Sequence, residues 1–153
     1  MRPLIQSALR LLHKLEWLGP LLVRLTVGLV FLTTGWGKLH NLDKVTEFFA
    51  SLHIPAAGAQ AAMVSTIEFV GGLLLIVGLG TRIASALLIG VMGVAILTAK
   101  LPELHGAVDL ANTIELTYLV MFVWLLVAGA GAASLDHLIA RRGHVEPRVG
   151  VAA

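Results

Sequence analysis

The 153-residue chain contains no cysteine. It therefore has no disulfide, thiolate nucleophile, Cys-x-x-Cys redox pair or Cys-ligated iron–sulfur cluster of its own, and any thiol chemistry belongs to a partner or a substrate. Charge is also scarce: 13% of the residues are Asp, Glu, Lys or Arg, against roughly 25% in ordinary soluble domains. There is no phosphate-cradling loop, flavin motif, His-Glu-x-x-His motif, internal repeat or low-complexity tract. What remains is apolar: 58% hydrophobic residues and a mean hydropathy of +0.91. These values place the chain among membrane proteins, with room for one domain. The net charge of +2 does not suggest nucleic acid, because the basic residues are scattered singly and flank the apolar runs.

Residues 20–39 supply the roughly 20 apolar residues needed to cross a bilayer core about 30 Å thick. Further spans are expected over 59–79, 83–101 and 112–133. The second and third are joined by a turn at Gly78-Leu79-Gly80-Thr81-Arg82, tight enough to make them antiparallel neighbours. Continuously apolar runs exclude barrel strands, which alternate in polarity, and in lipid the backbone must then be helical. The fold expected over 20–140 is an all-α membrane four-helix bundle. A short interfacial helix is expected over 43–53, with Val45, Phe48, Phe49 and Leu52 on one side and Pro55 closing it. At the N-terminus, residues 1–19 read as a basic amphipathic helix on the membrane surface, with Ile5, Leu9, Leu12 and Leu15 at helical spacing, or as a solvated end. Arg10, His13, Lys14 and Glu16 interrupt any signal-peptide core. A basic tail follows over 141–153.

The positive-inside rule assigns an orientation. Arg2, Arg10, Lys14, Arg82, Arg141, Arg142 and Arg148 fall on one side, and only Lys38, Lys44 and Lys100 on the other. Both termini are therefore expected in the cytoplasm. Glycines within the spans, among them Gly28, Gly35, Gly71 and Gly72, allow close helix approach where no hydrophobic effect drives association.

Ionisable residues inside spans cost about 2.5–3.5 kcal/mol each on insertion scales, so each asks for a reason. Arg24, Gly28, Phe31, Gly35 and Lys38 share one face of the first helix, which is expected to point into the bundle. Glu68 lies about 13 Å into the second span at 1.5 Å per residue, and its partner is a first-helix cation, either Lys38 or Arg24. Asn112, Glu115, Tyr118 and Phe122 form a second inward candidate stripe. The expected site is a polar pocket in the outer half built from Lys38, Glu68, Asn112, Glu115 and Tyr118. Two readings stand beside each other: ion pairs that only fix helix register, or a pocket for a quinone headgroup or small polar solute. His40, His53 and His105 are candidate metal donors in the outer loops, but no two have helical ligand spacing, and solvent-facing histidines are the default. No metal and no certain cofactor is assigned.

The runs RLTVGLVFLTTGWGKL (Arg24 to Leu39), IEFVGGLLLIVGLGTRIASALL (Ile67 to Leu88) and GAGAASLDHL (Gly129 to Leu138) resemble the conserved blocks of the DoxX family, in the same order over about residues 20–140. The resemblance implies a four-helix prokaryotic inner-membrane protein related to the DoxD subunit of a thiosulfate:quinone oxidoreductase. It points to Arg24, Gly28, Phe31, Gly35 and Lys38, then Glu68, Gly71, Gly72 and Arg82, then Ser134, Leu135 and Asp136. The family's Gly-Pro-Gly near the end of the fourth span is Gly129-Ala130-Gly131 here, and loss of the proline is expected to straighten the exit of the last helix. Three functions follow as expectations. The first is an accessory subunit of a membrane redox system that engages quinone and is not an enzyme on its own, with electrons supplied by a partner. The second is a small-solute carrier acting as a homodimer. The third is an assembly or anchoring subunit.

Overall fold

A computed structural model describes residues 6, 10, 13–103 and 106–143. The chain is all-α, with no strand among the described residues. Its first helix, α1 (Leu18–Leu39), has 22 residues and so spans about 33 Å. Pro20 is tolerated in its first turn, where the missing N–H has no helical partner. A short amphipathic helix, α2 (Leu42–Ser51), follows at the Lys38 end. The second long helix is α3 (Ala57–Val77).

Gly78 ends α3 in the left-handed conformation, φ 73°, and the N–H groups of Gly78 and Leu79 both return to the Leu74 carbonyl. A side chain is strained at that φ, so glycine is what lets the chain turn here. The third long helix begins at once as α4 (Thr81–Ala95), continues as one π-helical turn (Ile96–Lys100) and closes in a 3₁₀ turn (Leu101–Glu103). The short α5 (Ala107–Ala111) leads into α6 (Ile114–Ala128), and α7 (Leu135–Gly143) completes the order.

Three helical runs, His13–Leu39, Ala57–Val77 and Thr81–Lys100, are long and apolar enough to cross a membrane. The fourth apolar helix is shorter than the expected 112–133: α6 has 15 residues and stops at Ala128. Gly129 (φ 82°) and Gly131 (φ 76°) turn the backbone through the left-handed region, so the chain breaks sharply without a proline. The expected straightening does not occur. The expected N-terminal helix over 1–19 lies mostly outside the described residues, as does the tail beyond residue 143.

Packing centres on Phe31, whose ring meets Tyr118 and Phe122 edge-on at centroid distances of 5.3 and 5.0 Å. Around it Val27, Leu75, Leu88, Val91, Met92 and Leu125 are buried. α1 and α3 touch backbone to backbone: a Cβ on Gly72 would lie 2.8 Å from the Gly28 carbonyl oxygen and 2.9 Å from the Phe31 carbonyl carbon. Outward faces carry Leu22, Leu29, Leu73, Ile83, Val120 and Val127, all exposed. A soluble protein rarely leaves so extended an apolar belt bare, whereas a bilayer covers it.

Candidate functional site

The sequence places one ionisable residue on each of four neighbouring elements at the Lys38 end, and the fold gathers them around a cavity of about 620 Å³. Lys38, in the last turn of α1, donates to Glu68 Oε1 of α3 at 2.6 Å. The two partners differ in burial: the Lys38 side chain is 37% exposed and that of Glu68 only 3%. The other oxygen of Glu68, Oε2, is buried and has no hydrogen-bond partner. Across the cavity Lys100 of the π turn lies 3.6 Å from Glu115 in the first turn of α6. The π turn adds a residue to the helical repeat and so changes which side chains after Ala95 face inward. Thr98, Ala99 and Lys100 all line the cavity.

The remaining wall is apolar. α3 contributes Met63, Val64 and Ile67 beside the polar Gln60, and α4 contributes Leu87, Gly90, Val91 and Val94, both stripes at helical spacing. Phe48 and Phe49 of α2, followed by Leu52 and Ile54, cover the Lys38 end. The amphipathic pattern of α2 was readable in the sequence; that its apolar side closes this cavity was not.

Of the five expected pocket residues, Lys38, Glu68 and Glu115 line the cavity together and Asn112 and Tyr118 do not. Asn112 is exposed, because it precedes α6 and does not share its helical phase. Tyr118 is half-buried against Phe31 in the bundle core. Trp36 is exposed on the opposite side of α1, its ring tilted against those of His40 and Phe69 at centroid distances of 4.1 and 5.5 Å. His40 Nδ1 lies 2.9 Å from the Trp36 carbonyl, His53 is exposed with φ 57°, and His105 lies outside the described residues. Among the described residues no three His, Asp or Glu side chains converge as metal ligands would.

Arg24 is not the partner of Glu68. It is buried at the opposite end, where its guanidinium donates Nε to the Leu75 carbonyl at 3.0 Å, one terminal nitrogen to the Ala130 carbonyl and the other to that of Ala133 at 2.9 Å. The broken chain after α6 thus wraps a cation of α1, and a planar fork with several fixed donors suits the task. Asp136 accepts from the N–H groups of Gly80 at 2.7 Å and Thr81 at 3.0 Å. Its carboxylate caps α4 at the positive end of the helix dipole. Ser134 Oγ accepts from the His137 N–H at 3.1 Å and donates to the Gly131 carbonyl, capping α7. Arg82 is exposed and donates to the Val127 carbonyl at 3.3 Å.

The DoxX family profile matches residues 19–101, more than half of the chain. The chain belongs to the DoxX family. The profile ends before α6, short of the range expected from the motifs, but full-length relatives extend the likeness. The inner membrane protein YqjF of Escherichia coli is 28% identical over 134 residues, covering 86% of this chain and 99% of YqjF. CatD of Bacillus subtilis, whose given name proposes an oxidoreductase, is 29% identical over 80% of this chain and 87% of its own. The membrane protein Rv3486 of Mycobacterium tuberculosis is 36% identical over 87% of this chain and 88% of its own. No solved structure matches. In this DoxX chain the residues singled out by resemblance divide by location. Arg24, Ser134 and Asp136 organise one end, Gly28, Gly35 and Gly72 join α1 to α3, and Lys38 and Glu68 face the cavity at the other end.

Proposed function

We propose that this DoxX protein is an accessory subunit of a membrane redox system that holds a quinone or quinol headgroup in the cavity at the Lys38 end. The observation that carries this reading is Glu68: a carboxylate 3% exposed, with one oxygen on Lys38 and the other without a partner. A buried acceptor left unmet costs about 1–3 kcal/mol, more when charged, and a hydroxyl donor from a ligand removes that cost. A volume of about 620 Å³ falls in the range of roughly 300–1,000 Å³ typical of small-molecule sites, and a mostly apolar wall with a few converging polar groups is their usual chemistry. Glu68 Oε2 accepts the hydroxyl of a quinol, and the ammonium groups of Lys38 and Lys100 face the oxygens of the oxidised form. Reducing a quinone takes two electrons and two protons. The ionisable groups of the wall exchange the protons, and a partner supplies the electrons, because the chain has no cysteine or flavin motif to carry them. The charge asymmetry of the loops supports a reading with the termini in the cytoplasm and this end on the outer side.

The test is to purify the protein in mild detergent, extract it and quantify the quinone it retains, alongside a Glu68→Gln variant. Stoichiometric quinone in the wild type and a clear loss in the variant are expected. Neither retained quinone nor binding of added benzoquinol would overturn the proposal and leave the ion pairs as structural links between helices.

A further inference from the structure

The cavity is covered at the Lys38 end by Phe48 and Phe49 of α2, while several residues of its α3 and α4 walls are exposed. Nearer the 78–81 turn, the Gly71 position meets the Leu88 side chain, with a Cβ there only 3.2 Å from Leu88 Cδ1. At Gly90, less than a turn further along α4, a Cβ would meet nothing within 4 Å. Gly71 and Leu88 thus join α3 and α4 near the 78–81 turn, and further along the cavity lies between the two helices, with Gly90 in its α4 wall. The edges of this gap are apolar and bare: Met63 is 53% exposed, Leu87 50% and Val94 48%. These residues sit in the apolar belt, where the surrounding medium is hydrocarbon.

We propose that the gap between α3 and α4 at Gly90 is a lateral portal through which a tailed amphiphile enters from the bilayer, seating its polar head at Glu68 and leaving its tail in lipid. This rests on the reading of the cavity as a headgroup site and adds to it the entry route and the class of ligand. An apolar edge offers nothing to a water-borne solute, whereas α2 and its phenylalanines obstruct the aqueous approach. A tail lying along Met63, Leu87 and Val94 stays in hydrocarbon throughout. The ligand therefore never has to bring its chain through water.

The test compares two probes in nanodiscs, a tailless benzoquinol and the same ring with a decyl tail, on the wild type, Gly90→Leu and Gly93→Leu. Gly93 also has open space around it but does not line the cavity, so it controls for added bulk and for helix propensity. Filling the portal should weaken the tailed probe by about tenfold or more, the equivalent of a moderate overpacking cost. The tailless probe should change far less, and Gly93→Leu should leave both probes unaffected. If the wild type binds both probes and Gly90→Leu treats them alike, lateral entry is overturned while the headgroup site stands. If neither probe binds the wild type, the headgroup site itself fails and the portal with it. Since the chain has no cysteine, a Met63→Cys variant gives a clean further check: efficient disulfide-linked dimers in the membrane would place a second copy in the gap and overturn the portal.

Discussion

Removing either side of the Lys38–Glu68 pair should have unequal consequences, and the inequality follows from burial. Lys38→Met leaves Glu68, 3% exposed, with neither oxygen partnered. Breaking a buried pair in this way costs about 3–5 kcal/mol. Glu68→Gln leaves Lys38, 37% exposed, on a flexible stem that can carry its ammonium toward the interface. That change should cost about 1–2 kcal/mol, nearer to the value of a surface pair. The double variant strands no charge and should be more stable than Lys38→Met alone, giving a coupling of about 2 kcal/mol between two side chains 2.6 Å apart. Reversible unfolding in mixed detergent micelles, with helical circular dichroism as the signal, measures all four corners of the cycle. Additivity within about 0.5 kcal/mol would refute the argument, as would a Glu68→Gln cost larger than that of Lys38→Met.

Two further substitutions test the contacts that hold the site in place. Gly72→Ala gains about 1 kcal/mol in helix propensity, but its Cβ would lie 2.8 Å from the backbone oxygen of Gly28, so the overpacking cost of about 1–3 kcal/mol should win. Gly37→Ala, on the open side of α1 with nothing within 4 Å, should be neutral or stabilising by the same unfolding measurement. Arg24→Lys keeps the charge but cannot reach three carbonyls from one nitrogen, and it should cost about 2–4 kcal/mol. An unchanged unfolding midpoint would mean that the fork is not what holds the segment after α6.

Much of the bundle was legible in the sequence because lipid imposes helices and penalises charge. The face bearing Arg24, Gly28, Phe31 and Gly35 is buried as its spacing requires, and the Gly78–Arg82 turn lies where its glycines put it. The partners of Arg24 were not legible, because two of its acceptors are backbone carbonyls more than 100 residues away, and a carbonyl carries no side-chain signal. Glu68 could be matched to either first-helix cation on paper; depth decided for Lys38. Asn112 was placed by extending the period of α6 backward across residues that are not in that helix. The inward turn of Lys100 depends on the π turn, which breaks the very period from which a helical face is read. The break after Ala128 rests on the positive φ of Gly129 and Gly131, which a glycine in an apolar run does not announce, since the same residue also serves close helix packing.

The wrapping of Arg24 by residues 130–133 also has a consequence in time. Ala130 follows Arg24 by 106 positions, so at ribosomal speeds of about 5–20 residues per second the arginine is made roughly 5–20 s before its last acceptors. Throughout that interval two of the three acceptors of the guanidinium do not yet exist, and a chain cut short before Ala130 never acquires them.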